Sequence, residues 1–234
     1  MTSYISGNRL LLLNMIGRPG VTETGNISGS GTVNTPMTRL RLCTVVLLAA
    51  GASAGLAQNS GTCAAAASFP ARAGTTLTIE SRSGEIDIVG SDKEGVRITC
   101  TVEDLDRAKD VHIQFEQTGD FGRLRLNGGM VNNLRVRIEL PRRTNLRLRV
   151  PAGEVNVDQV SGDKDISLSA GEITVSNVTG TEYRSVNATV DVGAVSASAF
   201  GVGKGGFFRS FTKDSPGGLY RLRAHLISGN VQLN

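Results

Sequence analysis

Five segments of this chain repeat one short unit, a glycine followed by apolar residues at alternate positions. They are Gly84-Glu-Ile-Asp-Ile, Gly153-Glu-Val-Asn-Val, Gly171-Glu-Ile-Thr-Val, Gly193-Ala-Val-Ser-Ala and Gly229-Asn-Val-Gln-Leu. Their glycines stand 69, 18, 22 and 36 residues apart, the last interval being twice 18. Alternation places Ile86 and Ile88, Val155 and Val157, Ile173 and Val175, and Val231 and Leu233 on one strand face. Glu85, Asp87, Glu154, Asn156, Glu172 and Thr174 then face the other way. Glycine suits a corner before each strand because it tolerates positive φ. The pattern predicts an all-β, single-domain β-solenoid, resembling a parallel β-helix, with rungs stacked about 4.8 Å apart. A β-sandwich is the alternative. It gives no reason for one unit to recur in one phase.

Other strands alternate as cleanly. Leu124 and Leu126 alternate with Arg123 and Arg125, and Leu134, Val136, Ile138 and Leu140 with Arg135, Arg137 and Glu139. Leu146, Leu148 and Val150 alternate with Arg147 and Arg149, and Leu222, Ala224 and Leu226 with Arg221, Arg223 and His225. The one helix candidate beyond residue 57 is the stretch from Val102 to Lys109. The 29 glycines and the absence of Trp suit such a turn-rich, aromatic-poor chain.

Residues 37–57 read MTRLRLCTVVLLAAGASAGLA. Two arginines, a short apolar stretch and a run of small residues predict a secretory signal peptide, cleaved after Ala57. The apolar core is shorter than the roughly 20 residues of a membrane span. An uncleaved anchor is the alternative reading. Residues 1–36 read as an over-called, disordered extension, with translation starting at Met37. Without residues 1–57 the chain keeps 21 basic and 20 acidic residues, against 25 and 21 in the whole. A charge balance this even removes the basis for a nucleic-acid partner. Cys43 leaves with the signal. Cys63 and Cys100 remain and are expected to pair in an oxidising compartment. The loop they close is worth roughly 3 to 4 kcal/mol by chain entropy.

The segments NLRVRIELPRRTNLRLRVPAGEVNV, DISLSAGEITVSNVTG and YRLRAHLISGNVQLN resemble the bacterial putative-adhesin domain family. That family consists of exported, glycine-punctuated β-solenoid proteins. The resemblance covers residues 76–234, leaving 58–75 as the N-terminal segment of the mature chain. It implies an exported protein of the periplasm or cell surface. It carries over no catalytic residue.

The residues themselves give catalysis little support. His112 and His225 are the two imidazoles, far apart in sequence, and no Gly-x-Ser-x-Gly elbow precedes a helix. Glu154 and Glu172 should stack in neighbouring rungs as a hydrated ladder. A polysaccharide-modifying enzyme, the alternative, requires converging carboxylates in a cleft. Neither a cofactor nor a metal site is expected. Arg135, Arg137, Arg147 and Arg149, extended by Arg123 and Arg125, form a candidate polyanion-binding face, since guanidinium groups match carboxylates and phosphates. A solvated face balanced by acids is the plainer reading. Phe207, Phe208 and Phe211 are a candidate contact loop or a plug for an open core end. The expected role is structural or binding, toward an envelope polysaccharide, another polyanion or an envelope protein, with no stable membrane span after cleavage. A periplasmic sensor or regulatory partner, using residues 201–218, is the further alternative.

Overall fold

Gly84, Gly153, Gly171, Gly229 and Gly193 stand in one column, each paired in register with the next. The computed structural model describes residues 57–102, 105–128 and 134–234. The extension at 1–36 and the signal peptide at 37–57, apart from Ala57, lie outside the described residues.

In chain order the strands are β1 (Ala57–Thr62), β2 (Ala67–Phe69), β3 (Thr76–Ser81), β4 (Ser83–Ser91) and β5 (Val96–Thr101). A single helical turn, α1 (Leu105–Ala108), follows, within the stretch expected to be helical. Then come β6 (Val111–Thr118), β7 (Phe121–Gly128), β8 (Arg135–Pro141), β9 (Asn145–Asp158), β10 (Lys164–Val175) and β11 (Tyr183–Ala197). After a 3-10 turn at Ser198–Phe200 the chain ends with β12 (Val202–Asp214) and β13 (Tyr220–Leu233). All thirteen described strands belong to one mixed sheet, in which the long strands β9, β10, β13 and β11 run parallel. The fold is all-β, and no described helix is long and apolar enough to cross a membrane.

The long strands change face at the glycine. In β9, Leu146, Leu148 and Val150 are buried before the corner, and Val155 and Val157 after it. The parity of the buried positions switches between 150 and 155, across the stretch Pro151-Ala152-Gly153-Glu154, exposed except for the half-buried glycine. Two walls therefore share one interior: the first built from the halves before the glycines, the second from the halves after. β3 and β4 make the same rung in two pieces, with Leu77 and Ile79 on the first wall and Ile86 and Ile88 on the second. The corner admits only glycine. At Gly171, with φ 127°, an added Cβ would lie 1.7 Å from the Gly153 carbonyl oxygen.

The chain does not wind rung after rung, as the solenoid expectation required. The column runs Gly84, Gly153, Gly171, Gly229, Gly193, so the C-terminal strand β13 lies between β10 and β11. The interval of 36 residues is not two rungs. It contains β12, which turns back antiparallel on the outer side of β11, after which β13 fills the place left beside β10. Spacing records the chain length between like units, not which units become neighbours.

At the other end of the sheet, β6 pairs antiparallel with β7 and with β1. Phe69 stacks on Phe115 with ring centroids 4.9 Å apart. A Cys63–Cys100 disulfide, across a sequence separation of 37, ties the segment after β1 to β5. Among the described residues one cation is buried inside the fold. Lys164 occupies an inward position of β10, in register with Leu146 and Leu222, and is 3% exposed. Its ammonium donates to the Val160 carbonyl at 2.5 Å and to the Tyr183 hydroxyl. Burial pushes the Lys164 amine down to about 8 and pushes the Tyr183 phenol up.

Candidate functional site

The outer surface of the first wall is a grid set by strand register. One row runs Arg123, Thr78, Arg147, Asp165, Arg223, Asn187. The next runs Arg125, Glu80, Arg149, Ser167, His225, Thr189. Side chains along a row stand about 4.8 Å apart, the spacing of strands.

Counter-charges fill part of this grid. Glu80 meets Arg125 at 3.2 Å and Arg123 at 3.6 Å. Arg149 grips Asp165 at two points, Nη2 to Oδ2 at 2.8 Å and Nη1 to Oδ1 at 3.4 Å. Asp163 is occupied at its Oδ1, which accepts the backbone N–H of Arg221 at 2.8 Å. The side chains of Arg147, Arg221 and Arg223 are exposed and make no ion pair among the described residues. They border a shallow depression of about 430 Å³ with Asn145, Asp163, Asp165, Ser185 and Asn187. A second depression continues from it over Arg149, Ser167, Thr189 and His225. His225 points outward, as its phase predicts, with Nδ1 2.9 Å from the Thr189 hydroxyl. The two hollows hold four arginines against Asp163 and Asp165. Neutral hydroxyl and amide groups stand between the charges.

The four arginines expected on one face are divided between two. Arg147 and Arg149 lie on the first wall. Arg135 and Arg137 lie on β8, which pairs with β4 on the second wall, where Arg135 is opposite Glu85 and Arg137 opposite Asp87. Alternation determines in from out, but the turn at Pro141-Arg142-Arg143 carries the chain to a different wall. Both β8 arginines are neutralised there. Arg135 meets Glu85 at 2.7 Å, a hydrogen bond that raises its already high pKa, and Arg137 meets Glu139 at 3.4 Å. Arg221 and Arg223 complete the first-wall cluster instead. They are far from Arg147 in sequence, and only their outward phase on a strand of the repeated unit signals them.

The second wall is acidic. Glu85, Glu154 and Glu172 follow one another in register, as expected for Glu154 and Glu172. Amides donate to two of these three carboxylates. Asn156 donates to Asp87 and Glu154 at 3.1 Å each, and Gln232 donates to Glu172. No group of three or more described His, Cys, Asp or Glu residues is placed to hold a metal ion.

The three phenylalanines are likewise divided, and they lie on a strand, β12, not in a loop. Phe211 is buried against Phe200, ring centroids 5.1 Å apart, and closes the core there. Phe207 and Phe208 are 68% and 81% exposed.

No protein-family model matches the chain, and no curated protein does. A solved structure described as that of a putative cell adhesion protein from Clostridium sporogenes is similar. The two chains are 13% identical with a TM-score of 0.47, over 76% of this chain and 99% of that one.

Proposed function

We propose that this is an exported, non-enzymatic, adhesin-like envelope protein whose solenoid-like stack of bent strands presents a binding wall to a polyanionic envelope polymer. The observation that carries this reading is the cluster of Arg147, Arg221 and Arg223, three exposed guanidinium groups on one wall with no ion pair among the described residues. Fixed strands hold these groups in register, so a ligand need not order the backbone to meet them. Bidentate guanidinium contacts suit carboxylate or phosphate groups. The interleaved Asn145, Ser185 and Asn187 offer hydrogen bonds to polymer hydroxyls. The resemblance of the repeated segments to an exported family, the leader expected at 37–57 and the Cys63–Cys100 disulfide support an oxidising compartment. The carboxylates of the second wall lie along a strand ladder and accept from Asn156 and Gln232, which favours a hydrated surface over a hydrolytic pair.

The test is binding of the chain from Gln58 onward to isolated cell-envelope fractions at two salt concentrations. The core runs from Cys63 to Leu233, so this chain contains all of it. Going from about 0.1 M to about 1 M salt shortens the Debye length from about 10 to about 3 Å. Binding should fall steeply. Binding indifferent to salt overturns the polyanion reading.

A further inference from the structure

The edge strand β12 carries a second surface of different chemistry. It pairs on one side only, with β11. At its corner Phe207 lies opposite Val192, itself 44% exposed, and Ile227 on β13 is 47% exposed nearby. Phe208 has φ 49°, the left-handed region that bulky residues rarely adopt. Adjacent phenyl rings this exposed differ from Phe121 and Leu219, which are exposed singly.

Cations surround this tip. Lys204, Arg209 and Lys213 occupy positions of β12 opposite the inward residues Val195, Val190 and Val186, yet all three are exposed because no further rung covers them. The Lys204 ammonium donates to the Ser210 carbonyl at 3.1 Å and so spans the segment that carries Phe207 and Phe208. Arg209 folds over Gly206. Asp214 is the one acid on the strand. Inward-pointing charges on an edge oppose strand addition, and a second copy of β12 would bring like charges together. A positively charged edge carrying projecting aromatic rings complements an anionic lipid surface, where the rings enter the acyl boundary and the cations stay among the headgroups.

We propose that Phe207 and Phe208, flanked by Lys204 and Arg209, are a peripheral membrane contact for anionic phospholipid. This contact is independent of the arginine wall and would leave that wall free for its polymer.

The test is co-sedimentation of the chain from Gln58 onward with phosphatidylglycerol–phosphatidylcholine vesicles and with phosphatidylcholine vesicles. The protein should sediment with the anionic vesicles. Phe207→Ser/Phe208→Ser should weaken that binding by about tenfold or more, with an unchanged melting temperature because both side chains are exposed. Lys204→Ser/Arg209→Ser should abolish the preference for the anionic vesicles. Arg147→Ser/Arg221→Ser/Arg223→Ser should bind them as the parent does, which keeps this outcome separate from that of the polymer-binding wall. No sedimentation with anionic vesicles, full binding by the phenylalanine variant, or binding lost only in the arginine variant would overturn the proposal. So would a dimer, formed without vesicles, that the phenylalanine substitutions dissociate.

Discussion

Arg149 holds both carboxylate oxygens of Asp165, with the shorter contact at 2.8 Å, and so leaves Arg147 and Arg223, the two register neighbours of Asp165, without a counter-ion. The free charge of Arg147 and Arg223 follows from this one pairing. Asp165→Asn should release Arg149 and add one net positive charge to the wall. Affinity for anionic envelope polymer should rise several-fold, roughly 1 kcal/mol by the usual scale of exposed charge interactions, and salt sensitivity should rise with it. Titration of envelope fractions at low salt checks this. An unchanged or weaker affinity would show that Arg147 and Arg223 do not contact the polymer.

The glycine column is the structural requirement of the bent strands. Gly171→Ala should destabilise the protein by at least about 3 kcal/mol or prevent folding, because positive φ and a backbone overlap act together. Gly203→Ala, on the exposed edge with nothing within 4 Å of its Cβ, should stay within about 0.5 kcal/mol of the parent. Urea unfolding of the two variants makes the comparison.

Much of this was legible in the chain because alternation and glycine corners are local signals. The inward sets Leu146, Leu148 and Val150, then Val155 and Val157, can be read from their phase, and so can the outward phase of His225. The placement of β13 between β10 and β11 cannot. It depends on β12 folding back antiparallel, a long-range choice that the repeated units do not mark. The division of the arginines has the same origin. Arg137 and Arg147 have the same outward phase, but the wall each belongs to is decided by strand pairing. For the phenylalanines, Phe211 is opposite the inward Ala188 while Phe207 is opposite the corner residue Val192, a register difference that sequence proximity hides.

Lys164 and Tyr183 make stability depend on pH. The amine of Lys164 is about 8 in the fold against an ordinary 10.5, so the unfolded chain binds more protons between those values. Stability should rise with pH from about 8 toward 10, by an amount on the order of 3 kcal/mol if the full window were crossed. Above 10 the raised Tyr183 phenol acts oppositely, because the unfolded phenol releases its proton first. Lys164→Met should abolish the rise between pH 8 and 10. Melting temperatures of parent and variant across that range test it, and parallel curves would contradict it.

The Cys63–Cys100 bridge closes a long loop in the unfolded chain. Cys63→Ala/Cys100→Ala should cost roughly 3 to 4 kcal/mol, read from urea midpoints. A reducing agent should lower the stability of the parent and leave the variant unaffected.

The polymer-binding surface proposed above is the first wall and not the second. Equilibrium binding of the chain from Gln58 onward to envelope fractions should compare Arg147→Ala/Arg221→Ala/Arg223→Ala with Arg135→Ala/Arg137→Ala. The first variant should lose salt-sensitive binding and the second should keep it. Equal binding by parent and both variants, or loss only in the second, would contradict it.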